Sequence, residues 1–102
     1  MGVLVTHGGG PAGKITVTDD GSLIARPAQA RRRYLLLIAD NANSDTIFLR
    51  LHSTDIAVFD EGIPLYPGFH HEIVVGENLY KGNVRAVVDT GKTAKLYFQE
   101  GF

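Results

Sequence analysis

From Lys14 onward, short apolar runs rich in β-branched and aromatic residues alternate with clusters of turn-forming residues. That spacing predicts strands joined by short connections, and so an all-β domain. Eight strands are expected: Lys14 to Thr18, Ser22 to Ala25, Arg33 to Ala39, Thr46 to His52, Ile56 to Phe59, Phe69 to Val75, Val84 to Asp89 and Thr93 to Gln99. The period of two along a strand then assigns faces. Tyr34, Leu36 and Ile38 share one side while Leu35, Leu37 and Ala39 share the other, so both sides of this strand call for apolar cover and it is central or interfacial. In the next strand Ile47, Leu49 and Leu51 share a face, and Phe48, Arg50 and His52 turn toward solvent or a neighbour.

The punctuation between these runs is chemically explicit. Asp19-Asp20-Gly21 suits a hairpin turn, Asp40 to Asp45 a polar loop, and Asp89-Thr90-Gly91-Lys92 a tight hairpin between the last two strands. In Gly62 to Val74, "GIPLYPGFHHEIV", Pro64 and Pro67 lack backbone donors, which makes the segment extended and peripheral. Pro67-Gly68 then suits a type II turn. Helical signal is scarce; Pro27 interrupts the Ala- and Arg-rich stretch around Ala28 to Arg31, leaving room for a single helical turn there. Met1 to Gly13, with its HGGGPAG run, reads as a flexible arm ahead of a single β domain over residues 14–102.

Composition narrows the function classes. The 102 residues suit one domain, and a core of that size leaves subunit packing as a substantial further source of stability. Ten basic against eleven acidic side chains give a formal charge of -1, so no general attraction to nucleic acid or anionic membrane is expected. With no cysteine there is no disulfide, thiolate metal site or cysteine nucleophile. Val3-Leu4-Val5 is too short for a signal sequence, so the chain reads as soluble and not exported.

Candidate chemistry is thin. In the strand after Pro67-Gly68, His70 and His71 point to opposite faces and cannot easily share a metal. Only His70 and Glu72 have the alternate spacing of two ligands on one strand, with His52 or His7 as distant third donors. A polar strand face is the favoured reading, and a cupin-type metal enzyme the lesser one. His52-Ser53 beside Asp55 is adjacency in the chain and not a triad, while Ser22 and Ser44 sit in turn contexts. Gly8, Gly13 and Lys14 imitate a phosphate loop, but Ile15 stands where a hydroxyl residue should bind magnesium and no helix follows. Arg31-Arg32-Arg33, with Arg26 nearby, reads as a solvated turn with salt-bridge partners in preference to a nucleic-acid contact. Tyr66, Phe69, Tyr80 and Tyr97 are candidate aromatic platforms for a carbohydrate-binding or host-attachment module, although such residues more often pack across strands. No catalytic, cofactor or metal residue is assigned.

Three stretches carry a resemblance: ITVTDDGSLIARPAQARRRYLLLIADNANSDTIFLRL, GIPLYPGFHHEIV and YKGNVRAVVDTGKTAKLYFQEG. They contain an N-x-x-x-D loop at Asn41 to Asp45, a G-I-P-L-x-P-G corner at Gly62 to Gly68 and a closing G-x-V-x-A-V-V to G-x-T-A-K-L hairpin at Gly82 to Leu96. In these features Ile15 to Gly101 resembles small β-rich virion proteins of tailed bacteriophages, of the capsid decoration or head-stabilising type. The resemblance implies a β-sandwich or a β-tulip or jelly-roll-like barrel of antiparallel strands. It further implies a homotrimer that binds the major capsid protein on the capsid surface and cements the lattice, made in the host cytoplasm and carried on the virion. No enzyme activity, cofactor, nucleic acid or membrane partner belongs to that picture.

Overall fold

The computed structural model describes residues 11–74 and 80–102. The strands are β1 (Ala12–Val17), β2 (Ile24–Arg26), β3 (Tyr34–Ala39), β4 (Ile47–Leu51), β5 (Ile63–Leu65), β6 (His70–Val74), β7 (Val84–Val87) and β8 (Ala94–Gly101). Among the described residues there is no helix, including at Ala28 to Arg31, where a simple turn closes with the Arg32 amide on the Gln29 carbonyl at 3.1 Å. The strands form two four-stranded antiparallel sheets, β1-β8-β3-β6 and β2-β7-β4-β5. This is a β-sandwich, and its strand order is that of a jelly roll, two Greek keys wound through each other.

The interior follows from the alternation. Leu35, Leu37 and Ala39 of β3 and Leu96 of β8 are fully buried, and they meet Ile47 and Leu49 of β4 and Val84 and Ala86 of β7 from the facing sheet. Since Leu35, Leu37 and Ala39 point at the facing sheet, the second apolar face of β3, with Leu36 and Ile38, is turned outward. β3 is thus an interior strand of its sheet, one of the two readings its pattern allowed.

Several expectations need correction. Asp19 to Gly21 and Asp89 to Lys92 do turn, the latter with the Lys92 amide on the Asp89 carbonyl at 3.0 Å. Neither closes a hairpin, however, because β1 and β2 lie in opposite sheets and so do β7 and β8. Among the described residues the only consecutive strands that pair are β4 and β5, and β8 pairs instead with β1 and β3. Ile56 to Phe59 is not a strand. It belongs to the connection 52–62, which lies over the outside of the second sheet, with the Ala57 amide bonded to the Gly21 carbonyl at 2.8 Å. The missing strand is β5, an edge strand in which Pro64 sits opposite Phe48. An edge is where a residue without an N–H fits, so the peripheral, extended reading of this segment holds. The turn after it also holds: the Phe69 amide reaches the Tyr66 carbonyl at 2.8 Å across Pro67-Gly68, and Gly68 has φ 82°, a backbone region favouring glycine.

At the other end, β1 begins at Ala12, two residues before the expected domain boundary, and the Pro11 carbonyl already accepts the Glu100 amide at 2.9 Å. Residues 1–10 of the expected arm lie outside the described residues.

Candidate binding surfaces

Register places one row of side chains after another on the outside of the first sheet. Ala12 pairs with Gln99, Gln99 with Leu36 and Leu36 with Glu72; the next outward row is Lys14, Tyr97, Ile38 and His70. Leu36 and Ile38 are half-buried and Tyr97 is 40% exposed, so the middle of the face is apolar. Between β1, β8 and β3 these rows border an open groove of about 500 Å³, walled by Leu36, Ile38, Tyr97 and the Ala12 to Lys14 edge. Its rim is charged. The Lys14 ammonium stands 5.9 Å from the Tyr97 ring centre, and Lys95 donates to the Thr16 hydroxyl at 2.9 Å. On the far side Tyr34 donates its hydroxyl to Glu72 at 2.8 Å; burial first, and the Glu72 carboxylate second, push the Tyr34 phenol up to about 12. The face thus has an apolar centre inside a polar rim.

The opposite side of the molecule differs. There the connection 52–62 crosses the second sheet, burying Ala57 and setting Phe59 edge-to-face on Phe48 with ring centres 5.2 Å apart. It leaves Ile56, Val58 and part of Phe59 exposed. At the corner, Tyr66 and Phe69 flank the type II turn as another edge-to-face pair, 5.6 Å apart, with Phe69 61% exposed. Of the four aromatics singled out as platforms, Tyr80 alone is turned to the core, its hydroxyl donating to the Asn83 carbonyl at 2.6 Å.

The histidines do not converge. His52 follows β4 in the second sheet, and its Nδ1 accepts the backbone amides of Thr54 and Asp55 at 3.2 and 3.0 Å. The 3.7 Å approach of the same nitrogen to the Asp55 carboxylate belongs to this turn. His70 and Glu72 are on the first sheet, where Glu72 is already bonded to Tyr34. His71 faces the other way, opposite Leu37, and burial and the neighbouring His70 lower its pKa. Among the described residues no group of three potential metal ligands comes together; His7 lies outside them. Ser22 donates to Asp20 and Ser44 to Asp45 within their turns. Gly13 and Lys14 lie in β1, extended and not looped, so the phosphate-loop likeness has no structural counterpart there.

The basic cluster is where residue-level reading missed most. Arg31 and Arg33 are exposed, but Arg32 between them is fully buried. Its Nε donates to Glu100 at 2.7 Å and its other nitrogens to the carbonyls of Tyr80, Gly82 and Pro27. Arg26 approaches the other oxygen of the same carboxylate, at 2.6 Å, while stacking 4.0 Å from the Phe98 ring centre. One buried acid is therefore shared by two arginines, and β2 of one sheet is tied to β8 of the other. The signal was available in Glu100: Ala94, Leu96 and Phe98 point inward at intervals of two, and the next inward position is this glutamate. A buried carboxylate requires a cation.

Comparison of the chain with protein-family models, curated proteins and solved structures finds no match.

Proposed function

We propose that this protein works by adhesion: it is a structural module that attaches to a larger protein surface, and, following the resemblance of its Ile15 to Gly101 segment, that surface is the outside of a tailed-phage capsid, whose lattice it stabilises. The observation that carries the adhesive reading is the apolar surface displayed on both outer sides of the sandwich, Leu36, Ile38 and Tyr97 on one and Ile56 and Val58 on the other, with the exposed Tyr66 and Phe69 pair at the corner between the sheets. Scattered exposed apolar residues are ordinary, but a bordered apolar groove on a sheet face marks a contact site. A jelly roll is shared by capsid proteins, lectins and cupins, so the fold by itself does not choose among them. The resemblance implies three copies per attachment point, and many weak contacts of such an assembly would act together.

Co-sedimentation with expanded heads from a panel of tailed phages tests the reading, with native mass measured alongside. Binding to a capsid, with greater resistance of that capsid to heat or chelation, is the expected result. A chain that associates with no head in the panel removes the capsid part of the proposal.

A carbohydrate-binding module is the second reading, favoured by the exposed Tyr97 ring beside Gln99 and Lys14 at the groove. Glycan-array binding that is lost in Tyr97→Ala would select it.

A further inference from the structure

We infer that the outer face of the β1-β8-β3-β6 sheet is self-complementary and pairs two copies of this chain across a two-fold axis. The inference gives the Leu36, Ile38 and Tyr97 face, one of the surfaces offered above for adhesion, to a second copy and leaves capsid attachment the opposite side of the sandwich and the Tyr66 and Phe69 corner; the mass of the isolated protein tests it apart from capsid binding.

The argument rests on how charge is ordered across the four strands. Lys14 on β1 and Lys95 on β8 make one flank basic. Glu72 on β6 makes the other acidic, and Asp40, which continues β3 with its amide on the Lys95 carbonyl and its carboxylate 3.5 Å from the Tyr97 hydroxyl, adds a second negative group. Between the flanks lie Leu36, Ile38 and Tyr97. The face thus carries two cations, two anions and an apolar middle, with opposite signs displaced to opposite sides.

A two-fold axis between two such faces, parallel to the strands, keeps each row at its height and reverses its order. β1 then lies over β6 of the second copy, and β8 over β3. In the row of Lys14, Tyr97, Ile38 and His70, the Tyr97 ring falls on Ile38; one row further along, Lys95 falls opposite Asp40; and Lys14 reaches Glu72 along the diagonal. Lys14 also falls opposite His70. An axis perpendicular to the strands would set β1 on β1 and superpose like charges. Sheets packed face to face sit about 10 Å apart with strands within about 30° of each other, an arrangement this axis satisfies. A closed two-fold contact uses one patch twice, which is what an internally complementary face provides.

Size sets the expected strength. Four strands about 4.8 Å apart and six residues long at about 3.3 Å each project an area of roughly 400 Å². With both copies counted this is about 800 Å², below the usual range of a stable specific contact, so the pair should be weak and transient, with a dissociation constant on the order of micromolar or above.

Sedimentation equilibrium of the full chain across a wide concentration range, with far-UV circular dichroism to confirm folding, is the test. The unaltered protein is expected to double its 11.1 kDa mass as concentration rises. Lys14→Glu and Glu72→Lys should each weaken pairing at least about tenfold, by setting like charges against each other. Mixed one to one, the two variants should pair again, because each then offers the sign that the other lacks. Ile38→Thr, a milder change kept β-branched, should also weaken the pair. A mass of one copy throughout overturns the inference, and so does a stable mass of three. Two variants that fail to rescue each other overturn it as well, as does a dimer indifferent to all three substitutions.

Discussion

On the outside of the β2-β7-β4-β5 sheet, Phe48 and Val87 lie under the connection 52–62, whose Ala57 is buried and whose Phe59 packs on Phe48. On the outside of the other sheet, none of the described connections lies over Leu36 and Ile38, and a groove opens beside them. Both strands have apolar side chains on their outward faces, yet in one sheet the chain supplies the cover and in the other it does not. The outward apolar side chains of one sheet are thus covered by the chain itself, whereas those of β3 border an open groove.

The contrast can be probed by substitution, beginning with what the two layers share. Glu100→Gln leaves Arg26 and Arg32 facing a neutral amide at the bridge between sheets and should cost about 3–5 kcal/mol in denaturant unfolding; a loss below about 1 kcal/mol would mean the triad does not hold the layers together. Gly21→Ala comes next. A methyl group there would collide with the Ala57 carbonyl, lifting the connection off its sheet at a cost of up to about 3 kcal/mol and speeding amide exchange at Ala57. The direct comparison is a threonine placed on each face. Phe48→Thr should destabilise the dilute monomer by about 2 kcal/mol through lost burial and the lost ring pair. Ile38→Thr should cost under about 1 kcal/mol in the same measurement, and equal losses would erase the distinction between a covered and an open face.

The smallest effect is one of pH. Burial, then the neighbouring His70, keep the folded-state pKa of His71 below its ordinary 6.5. The unfolded chain therefore binds the proton more readily, so stability is level above about pH 6.5 and declines as pH falls through that value. Titration of the unfolding midpoint in His71→Gln should show a shallower acid decline than in the unaltered protein; an unchanged slope would assign the acid sensitivity to other groups.

Much of the architecture was legible because the relevant physics is local. Alternation along Tyr34 to Ala39 separated two apolar faces, and Pro67-Gly68 announced its turn through fixed φ at one residue and positive φ at the next. Layer assignment was not legible. Asp89 to Lys92 has the residues of a tight turn whether the following strand stays in its sheet or crosses to the other one, and only the distant partners of β8 decide. Ile56 to Phe59 has the composition of a strand, but the covering role it takes depends on where Gly21 lies in space. Arg32 is chemically identical to Arg31 and Arg33, so its burial was to be found in Glu100, which lay just beyond the expected end of the last strand. The two surfaces were half legible: the outward apolar row of β3 was visible from its alternation, whereas the groove requires β1 and β8 beside it.

The place of β8 governs how this chain can reach its native state. Until the eighth strand arrives, β1 and β3 have a gap between them, and the pairing that fills it joins residues as far apart as Ala12 and Gln99. Ordering so long a stretch before its reward comes is entropically slow, as for other sheet proteins dominated by remote pairing. A chain interrupted before β8 would thus expose two unpaired strand edges and half an interior, a sticky species that favours aggregation, and its acquisition of structure should be late and concerted.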